Sequence, residues 1–202
     1  MILVGEVIRP TFDEALHKYT VQGREVPSVT QILKPLTDLA YGQIAPSVLK
    51  AAADFGTAVH ACTEYLDEGD LDDETVDAEW RPYLDAYVAW KETMRPTIER
   101  IEWRLACTKF AGTIDRVATI AGDRWVIDIK TTSKIHQHVG VQLAPYEALA
   151  YAAIGGEGPR FRRAALQLRG DGTFRFTEFT DPSDAACFTA LLGIHNWRKN
   201  HA

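Results

Sequence analysis

Cysteine is scarce in this chain of 202 residues, and long apolar runs are missing. Cys62, Cys107 and Cys187 lie far apart and form no Cys-x-x-Cys or Cys/His pair. This spacing argues against a disulfide scaffold, a zinc ribbon or an iron–sulfur cluster, and it indicates reduced thiols in the cytoplasm. No run of about 18 apolar residues occurs, which excludes a membrane span. The first residues also lack the features of a signal peptide.

An excess of positive charge is missing as well. The formal net charge is −6 at pH 7, so the chain lacks the overall basic character of many nucleic-acid-binding proteins. Nine carboxylates lie between Glu64 and Glu79 without a basic residue among them. A polyanionic partner would therefore have to bind at a local patch or through bound cations.

The remaining composition is typical of a folded, water-soluble protein, with 46% hydrophobic, 25% charged and 10% aromatic residues. Its length predicts one domain over residues 1–202. Within it, residues 1–95 are expected to hold an extended segment followed by helices. Residues 96–202 are expected to hold a sheet core with flanking helices.

The first half of the chain has helical periodicity after a short extended region. A turn at Gln22-Gly23 separates two β-prone stretches, and Ser28 is placed to cap a helix that begins near Val29. Apolar residues at spacings of three and four predict helices over 46–67 and 77–95, with the acidic stretch between them as a loop.

The second half begins with three β-prone runs between residues 101 and 132. A helix is predicted over 141–154, with its regular part starting at about Pro145, because proline disfavours the helix interior. A hairpin is predicted around Asp171-Gly172, and a last helix opens at Asp181-Pro182. This order predicts an α/β protein of mixed α+β type, with a central mixed sheet flanked by helices.

The most informative residues are two carboxylates and a lysine on neighbouring strands. Side chains alternate faces along a strand, so Asp128 and Lys130 share a face. If that strand pairs with the preceding one around the intervening turn, Asp115 lies opposite Asp128. Two such carboxylates repel unless a cation such as Mg²⁺ lies between them. The alternative is an ordinary Asp–Lys ion pair on an exposed sheet face.

Further candidates have two interpretations each. His60 can complete a carboxylate metal site, or it is an ordinary helix histidine. Its helical neighbour Glu64 fits a solvated carboxylate better than a ligand. Glu102, on the first strand, either supports the metal ligands or faces solvent.

Aromatic residues on the second predicted helix also have two interpretations. Tyr83, Tyr87 and Trp90 can stack on nucleobases or pack the helix against the sheet, and packing is the preferred interpretation.

Several of these residues fall into five motifs along the chain. The motifs are Gly56-Thr57-x-x-His60, Glu102 on a strand, Gly112-Thr113-Ile114-Asp115-Arg116, Val126-Ile127-Asp128-Ile129-Lys130-Thr131 and Gln142-x-x-x-Tyr146. In this order they resemble the PD-(D/E)XK nuclease superfamily, specifically its RecB-like branch. The segment Tyr19–Leu33 resembles the start of phage-encoded members and of the mitochondrial genome maintenance exonuclease. The resemblance extends to about Tyr151.

The resemblance implies a restriction-endonuclease-like core with an N-terminal helical region and a divalent-metal site. His60, Asp115 and Asp128 would ligate one or two Mg²⁺ or Mn²⁺ ions, with the carbonyl of Ile129 as a further ligand. Lys130 would position the attacking water. The four cysteines of the iron–sulfur branch of the superfamily are absent, so no iron–sulfur cluster is expected.

The resemblance also assigns one further catalytic residue and four residues that contact the substrate. Glu102 matches the early acidic position of the catalytic set. Expected contacts with the nucleic-acid strand come from Gln142, Tyr146, Thr57 and Thr131.

The implied function is a metal-dependent DNA exonuclease of phage or bacterial recombination, repair or replication, located in the cytoplasm. A phage or host recombination protein or single-strand-binding protein is a candidate partner besides DNA. The alternatives are a structure-specific endonuclease with the same site, a non-catalytic module that binds DNA ends, and a metal enzyme that is not a nuclease.

Overall fold

The computed structural model describes residue 2, residues 4–14 and residues 16–201. The strands described are Thr11–Asp13 (β1), Lys18–Val21 (β2), Arg24–Val26 (β3), Thr97–Ala106 (β4), Ala111–Ile120 (β5), Asp123–Lys130 (β6), Arg162–Leu168 (β7) and Phe174–Glu178 (β8). The α-helices described are Val29–Ile32 (α1), Lys34–Tyr41 (α2), Pro46–Glu68 (α3), Arg81–Met94 (α4), His138–Ala153 (α5) and Ser183–Asn200 (α6). No described helix combines the length and hydropathy needed to cross a bilayer.

The main sheet has the strand order β4-β5-β6-β7-β8. All of its neighbouring strands are antiparallel except β6 and β7, which run parallel and are joined through α5. A smaller antiparallel sheet, β1-β2-β3, precedes it in the chain. The expected fold class, mixed α+β with a central mixed sheet flanked by helices, is confirmed.

Helices cover both faces of the main sheet. On one face, Val59 of α3 and Tyr87 and Trp90 of α4 pack with Ile127 and Ile129 of β6. Tyr87 and Trp90 are fully buried, which confirms that they pack the helix and excludes them as a free stacking surface.

The other face of the sheet is covered by α5 and α6. Leu149 and Phe188 from these helices pack with Ile114 and Val117 of β5 and Val126 of β6. The β5–β6 hairpin expected from the sequence is present, so the two strands that carry Asp115 and Asp128 do pair.

Several helix boundaries differ from the sequence expectation. The α5 helix begins at His138 and contains Pro145, so the prediction that regular helix starts near Pro145 was wrong. Helix α2 was not predicted, and α4 begins at Arg81 rather than at residue 77. The Ser28 cap is confirmed as a reciprocal capping box with Gln31.

Arg116 of β5 is a charged residue in the core beneath α3 and α4. Its side chain is 0% exposed, and its Nε lies 2.7 Å from Asp67 Oδ2. It also donates to the hydroxyl oxygens of Tyr87 and Thr63, while Lys91 Nζ lies 2.6 Å from the other Asp67 oxygen. A buried ion pair is tolerated when its hydrogen-bonding groups are satisfied, and removing one partner leaves a buried charge uncompensated. This network therefore fixes both helices to β5.

We expect Asp67→Asn to lower the free energy of unfolding by about 3 kcal/mol, because it leaves the buried Arg116 charge without its carboxylate. Asp73→Asn is a matched control, since Asp73 is 74% exposed in its ion pair with Arg81 and such pairs contribute less than about 1 kcal/mol. Urea denaturation of the three proteins gives both values. Equal stability of Asp67→Asn and the wild type would contradict the role assigned to the buried pair.

Candidate active site and metal centre

Three carboxylates lie side by side across the strands β4, β5 and β6. The register pairs Ile101 with Arg116 and Arg116 with Ile127. The next residue along places Glu102 opposite Asp115, and Asp115 opposite Asp128. The sequence-predicted acidic residues are thus brought into one row by strand register alone.

The carboxylate of Asp115 lies where β5 and β6 separate. The pairing of these two strands ends at Arg116 and Ile127, and beyond it the backbone N–H of Ile129 donates to Asp115 Oδ2 at 2.7 Å. Helix α3 brings His60 to the same point, with Nε2 3.0 Å from the Ile129 carbonyl oxygen and Nδ1 3.7 Å from Asp115 Oδ2. The imidazole, the carboxylate and the carbonyl therefore converge on one position.

His60, Glu102 and Asp115 form a cluster that could hold a metal ion. Each offers one ligand atom, and these atoms lie within 4.8 Å of one another. Carboxylate oxygens, a carbonyl oxygen and one imidazole nitrogen suit Mg²⁺ or Mn²⁺. The donor set present thus fits the divalent ion that the sequence predicts.

Glu102 has an unusual backbone conformation and an unusual pKa for a carboxylate on a strand. Its φ angle is +42°, in the left-handed region that non-glycine residues seldom adopt. Burial and the charge of Asp115 raise the pKa of Glu102 to about 8, although Arg116 acts in the opposite direction. Burial is the larger cause of this shift, and repulsion by the neighbouring carboxylate of Asp115 adds to it.

Asp128, which is buried, and Lys130, which is half-buried, form an ion pair next to this cluster. Lys130 Nζ lies 2.8 Å from Asp128 Oδ2. Burial raises the pKa of Asp128, and Lys130 counteracts this effect. For Lys130, burial lowers the pKa, but the charges of Asp128 and Asp115 outweigh it and the pKa is raised. The lysine is therefore held as a cation, which suits it to orient a water or contact a phosphate rather than to accept a proton.

Gln142 and Tyr146 of α5 lie close to Asp128. The amide of Gln142 donates to Asp128 Oδ1 at 2.8 Å, so Pro145 does not turn this side chain away. Tyr146 is buried, and burial together with the charges of Asp128 and Asp115 raises its pKa well above the usual value. It lies against Gly112, where a Cβ would come within 2.4 Å of the Tyr146 ring.

All ten residues of the predicted site line one cavity of about 780 Å³. Thr57 and Thr131 lie on its wall and belong to the expected substrate contacts. A second cavity of about 840 Å³ lies between α1, α2 and α6 and is lined by none of the predicted site residues. The chemistry therefore points to the first cavity.

Arg116 is the functional residue that the sequence reasoning missed. Its Nη1 donates to the Asp115 carbonyl oxygen at 2.7 Å and lies 3.4 Å from Glu102 Oε1. The available signal was an arginine directly after Asp115, between the apolar residues Ile114 and Val117 of a strand.

The chain matches the family model of the PD-(D/E)XK nuclease superfamily over residues 37–189, which is more than half of its length. No curated protein matches the sequence significantly. A similar solved structure, named SSO0001, is 16% identical with a TM-score of 0.33, and the match covers 81% of this chain and 66% of that one. This chain thus spans just under two thirds of the length of SSO0001. On the strength of the family match, the chain belongs to the PD-(D/E)XK nuclease superfamily.

Proposed function

We propose that this protein is a metal-dependent DNA exonuclease of the RecB-like branch, acting in phage or bacterial DNA recombination, repair or replication. Membership of the superfamily implies a metal-dependent hydrolase that acts on nucleic acid. The observation that carries the proposal is the meeting of the His60–Glu102–Asp115 cluster and the Asp128–Lys130 pair in one cavity.

The metal-binding residues and Lys130 have separate roles in the proposed hydrolysis of a phosphodiester bond. A bound Mg²⁺ or Mn²⁺ ion would neutralise phosphate charge and lower the pKa of a coordinated water. His60, Asp115 and Asp128, with Glu102 and the Ile129 carbonyl, hold this position. Lys130, kept as a cation, orients the attacking water and stabilises charge that develops on the phosphate.

The form of α3 supports an exonuclease rather than an enzyme that cuts within a strand. Residues 42–54 are exposed without interruption, so the first half of α3 projects from the body of the protein. Small residues of this helix, Ala52, Ala53 and Gly56, line the cavity. A projecting helix beside the site restricts entry to a strand that arrives by its end. In the resembling exonucleases, such helices form an arch over the active site.

The exonuclease mode predicts that linear DNA is degraded and that a covalently closed circle is not. Loss of end-labelled linear DNA should require Mg²⁺ or Mn²⁺, stop in EDTA and be absent in Asp128→Ala. Asp123→Ala is a matched control on the same strand, because Asp123 is 54% exposed in an ion pair with Arg162. Cutting of the circle would favour the endonuclease, and binding without cleavage would favour the non-catalytic module.

Replacing Lys130 tests its role independently of the metal ligands. We expect Lys130→Ala to reduce turnover by about 100-fold or more while metal binding, followed by titration calorimetry, is retained. Lys134→Ala is the control, because Lys134 is an exposed lysine of the following loop. Normal turnover of Lys130→Ala would remove this role.

Metal affinity should rise with pH because the proton on Glu102 competes with the ion. With the pKa of Glu102 raised to about 8, the carboxyl is largely protonated at pH 7 and ionised above pH 8. Metal binding at pH 7 must therefore release a proton, and the apparent Kd should fall by up to about tenfold between pH 7 and 8.5.

Titration calorimetry with Mn²⁺ in buffers of different ionisation enthalpy counts the released protons. Glu102→Gln should abolish the release that depends on this residue. The same affinity at pH 7 and 8.5 in the wild type would show that no proton competes with the ion at Glu102.

A further inference from the structure

Three aromatic side chains, two from the small sheet and one from the turn between β1 and β2, form part of the wall of the active-site cavity. Phe12, His17 and Tyr19, here called the aromatic wall, all line the cavity that holds the acid cluster. The ring of Phe12 lies 4.5 Å from that of Tyr19 and 5.2 Å from that of His17, measured between centroids. Arg104 lies over the Phe12 ring at 5.0 Å. The wall is thus a connected aromatic surface with a guanidinium beside it.

The aromatic wall is anchored close to the metal centre. The hydroxyl oxygens of Tyr19 and Thr113 are 2.8 Å apart. Thr113 precedes Asp115 by two residues on β5, so the two share a face and their Cα atoms are roughly 7 Å apart. Burial raises the pKa of Tyr19, and the charges of Glu102 and Asp115 contribute to this shift. At Tyr19, its buried end, the wall therefore lies about one extended nucleotide from Asp115.

The three rings differ in how much of their surface is exposed. Tyr19 is 3% exposed and belongs to the core of the small sheet. Phe12 packs against this core but is only half-buried, and His17 is exposed. The surfaces open to a ligand are therefore those of Phe12 and His17.

The charges around the cavity explain why an aromatic surface matters there. Its carboxylates outnumber its lysine and arginine side chains by five to two: Glu14, Glu64, Glu102, Asp115 and Asp128 against Arg104 and Lys130. Because of this excess of carboxylates, the lining does not attract a polyanion by its own charge. Stacking on an aromatic ring adds affinity for a base without requiring positive charge.

We propose that Phe12 and His17 form a stacking subsite for one nucleobase of the bound strand, next to the nucleotide whose phosphate is cleaved. The proposal rests on the proposed nuclease function and extends it to the recognition of unpaired bases. Arg104, above Phe12, closes one side of this subsite.

The test uses binding, so that it does not depend on cleavage. A single-stranded oligonucleotide carries 2-aminopurine in turn at each terminal nucleotide, and Ca²⁺ replaces Mg²⁺ to prevent turnover. We expect the wild type to quench the fluorescence at one position near the end. Phe12→Leu keeps the apolar packing but removes the ring, and His17→Asn suits the positive φ of residue 17. Each should weaken that quenching and raise Kd, by roughly tenfold for Phe12→Leu.

An abasic nucleotide and a distant aromatic residue provide the controls. With an abasic site at the quenched position, the wild type should bind as weakly as Phe12→Leu, and the two should no longer differ. Trp197→Ala, which removes a 62% exposed ring outside the cavity, should leave binding unchanged. Quenching at no position, or a Phe12→Leu defect that persists on the abasic oligonucleotide, would overturn the subsite.

Cleavage of the unmodified oligonucleotide in Mg²⁺ is measured separately. If cleavage is absent while the Phe12-dependent quenching remains, the nuclease proposal fails and the subsite stands. If cleavage occurs without such quenching, the subsite fails and the nuclease proposal stands.

Discussion

The buried guanidinium of Arg116 is the interaction on which the candidate site depends. On one side it holds Asp67 of α3, and on the other it contacts the carboxylate of Glu102 and the carbonyl of Asp115. One side chain therefore sets the position of α3, which carries His60, relative to the strands that carry the acidic residues. A buried charge is costly, and this one is retained with each of its three nitrogens hydrogen-bonded.

The same cation helps to hold an acidic cluster that would otherwise be unfavourable. Asp67 is contacted by both Arg116 and Lys91, so two positive charges share one carboxylate at this point. The charge of Arg116 also lowers the pKa of Glu102. Burial and the charge of Asp115 outweigh this effect, and together they raise the pKa of Glu102 to about 8. The site thus favours a further cation, and in the proposed nuclease that cation would allow a chain of net charge −6 to approach a phosphate.

The residues whose positions could be predicted from the sequence are those placed by the local geometry of strands and turns. The two-residue period of a strand and a short turn were enough to bring Asp115 opposite Asp128 and to place Lys130 beside Asp128. The continuous α5 through Pro145 could not be read in this way, because the packing of this buried helix overrides local preference. Arg116 and Phe12 were missed for a related reason: their partners lie far away in sequence, on other elements.

Strand β5 shows why these parts act together. Over five residues, Gly112 admits the Tyr146 ring of α5, Thr113 binds Tyr19 of the aromatic wall, Asp115 joins the acid cluster and Arg116 holds α3 and α4. Neighbouring side chains of a strand point to opposite faces, so a slip of one residue would exchange every one of these contacts. The register of β5 therefore fixes the position of the acid cluster relative to the aromatic wall, and in the proposed nuclease it would set the separation between the cleaved phosphate and the stacked base.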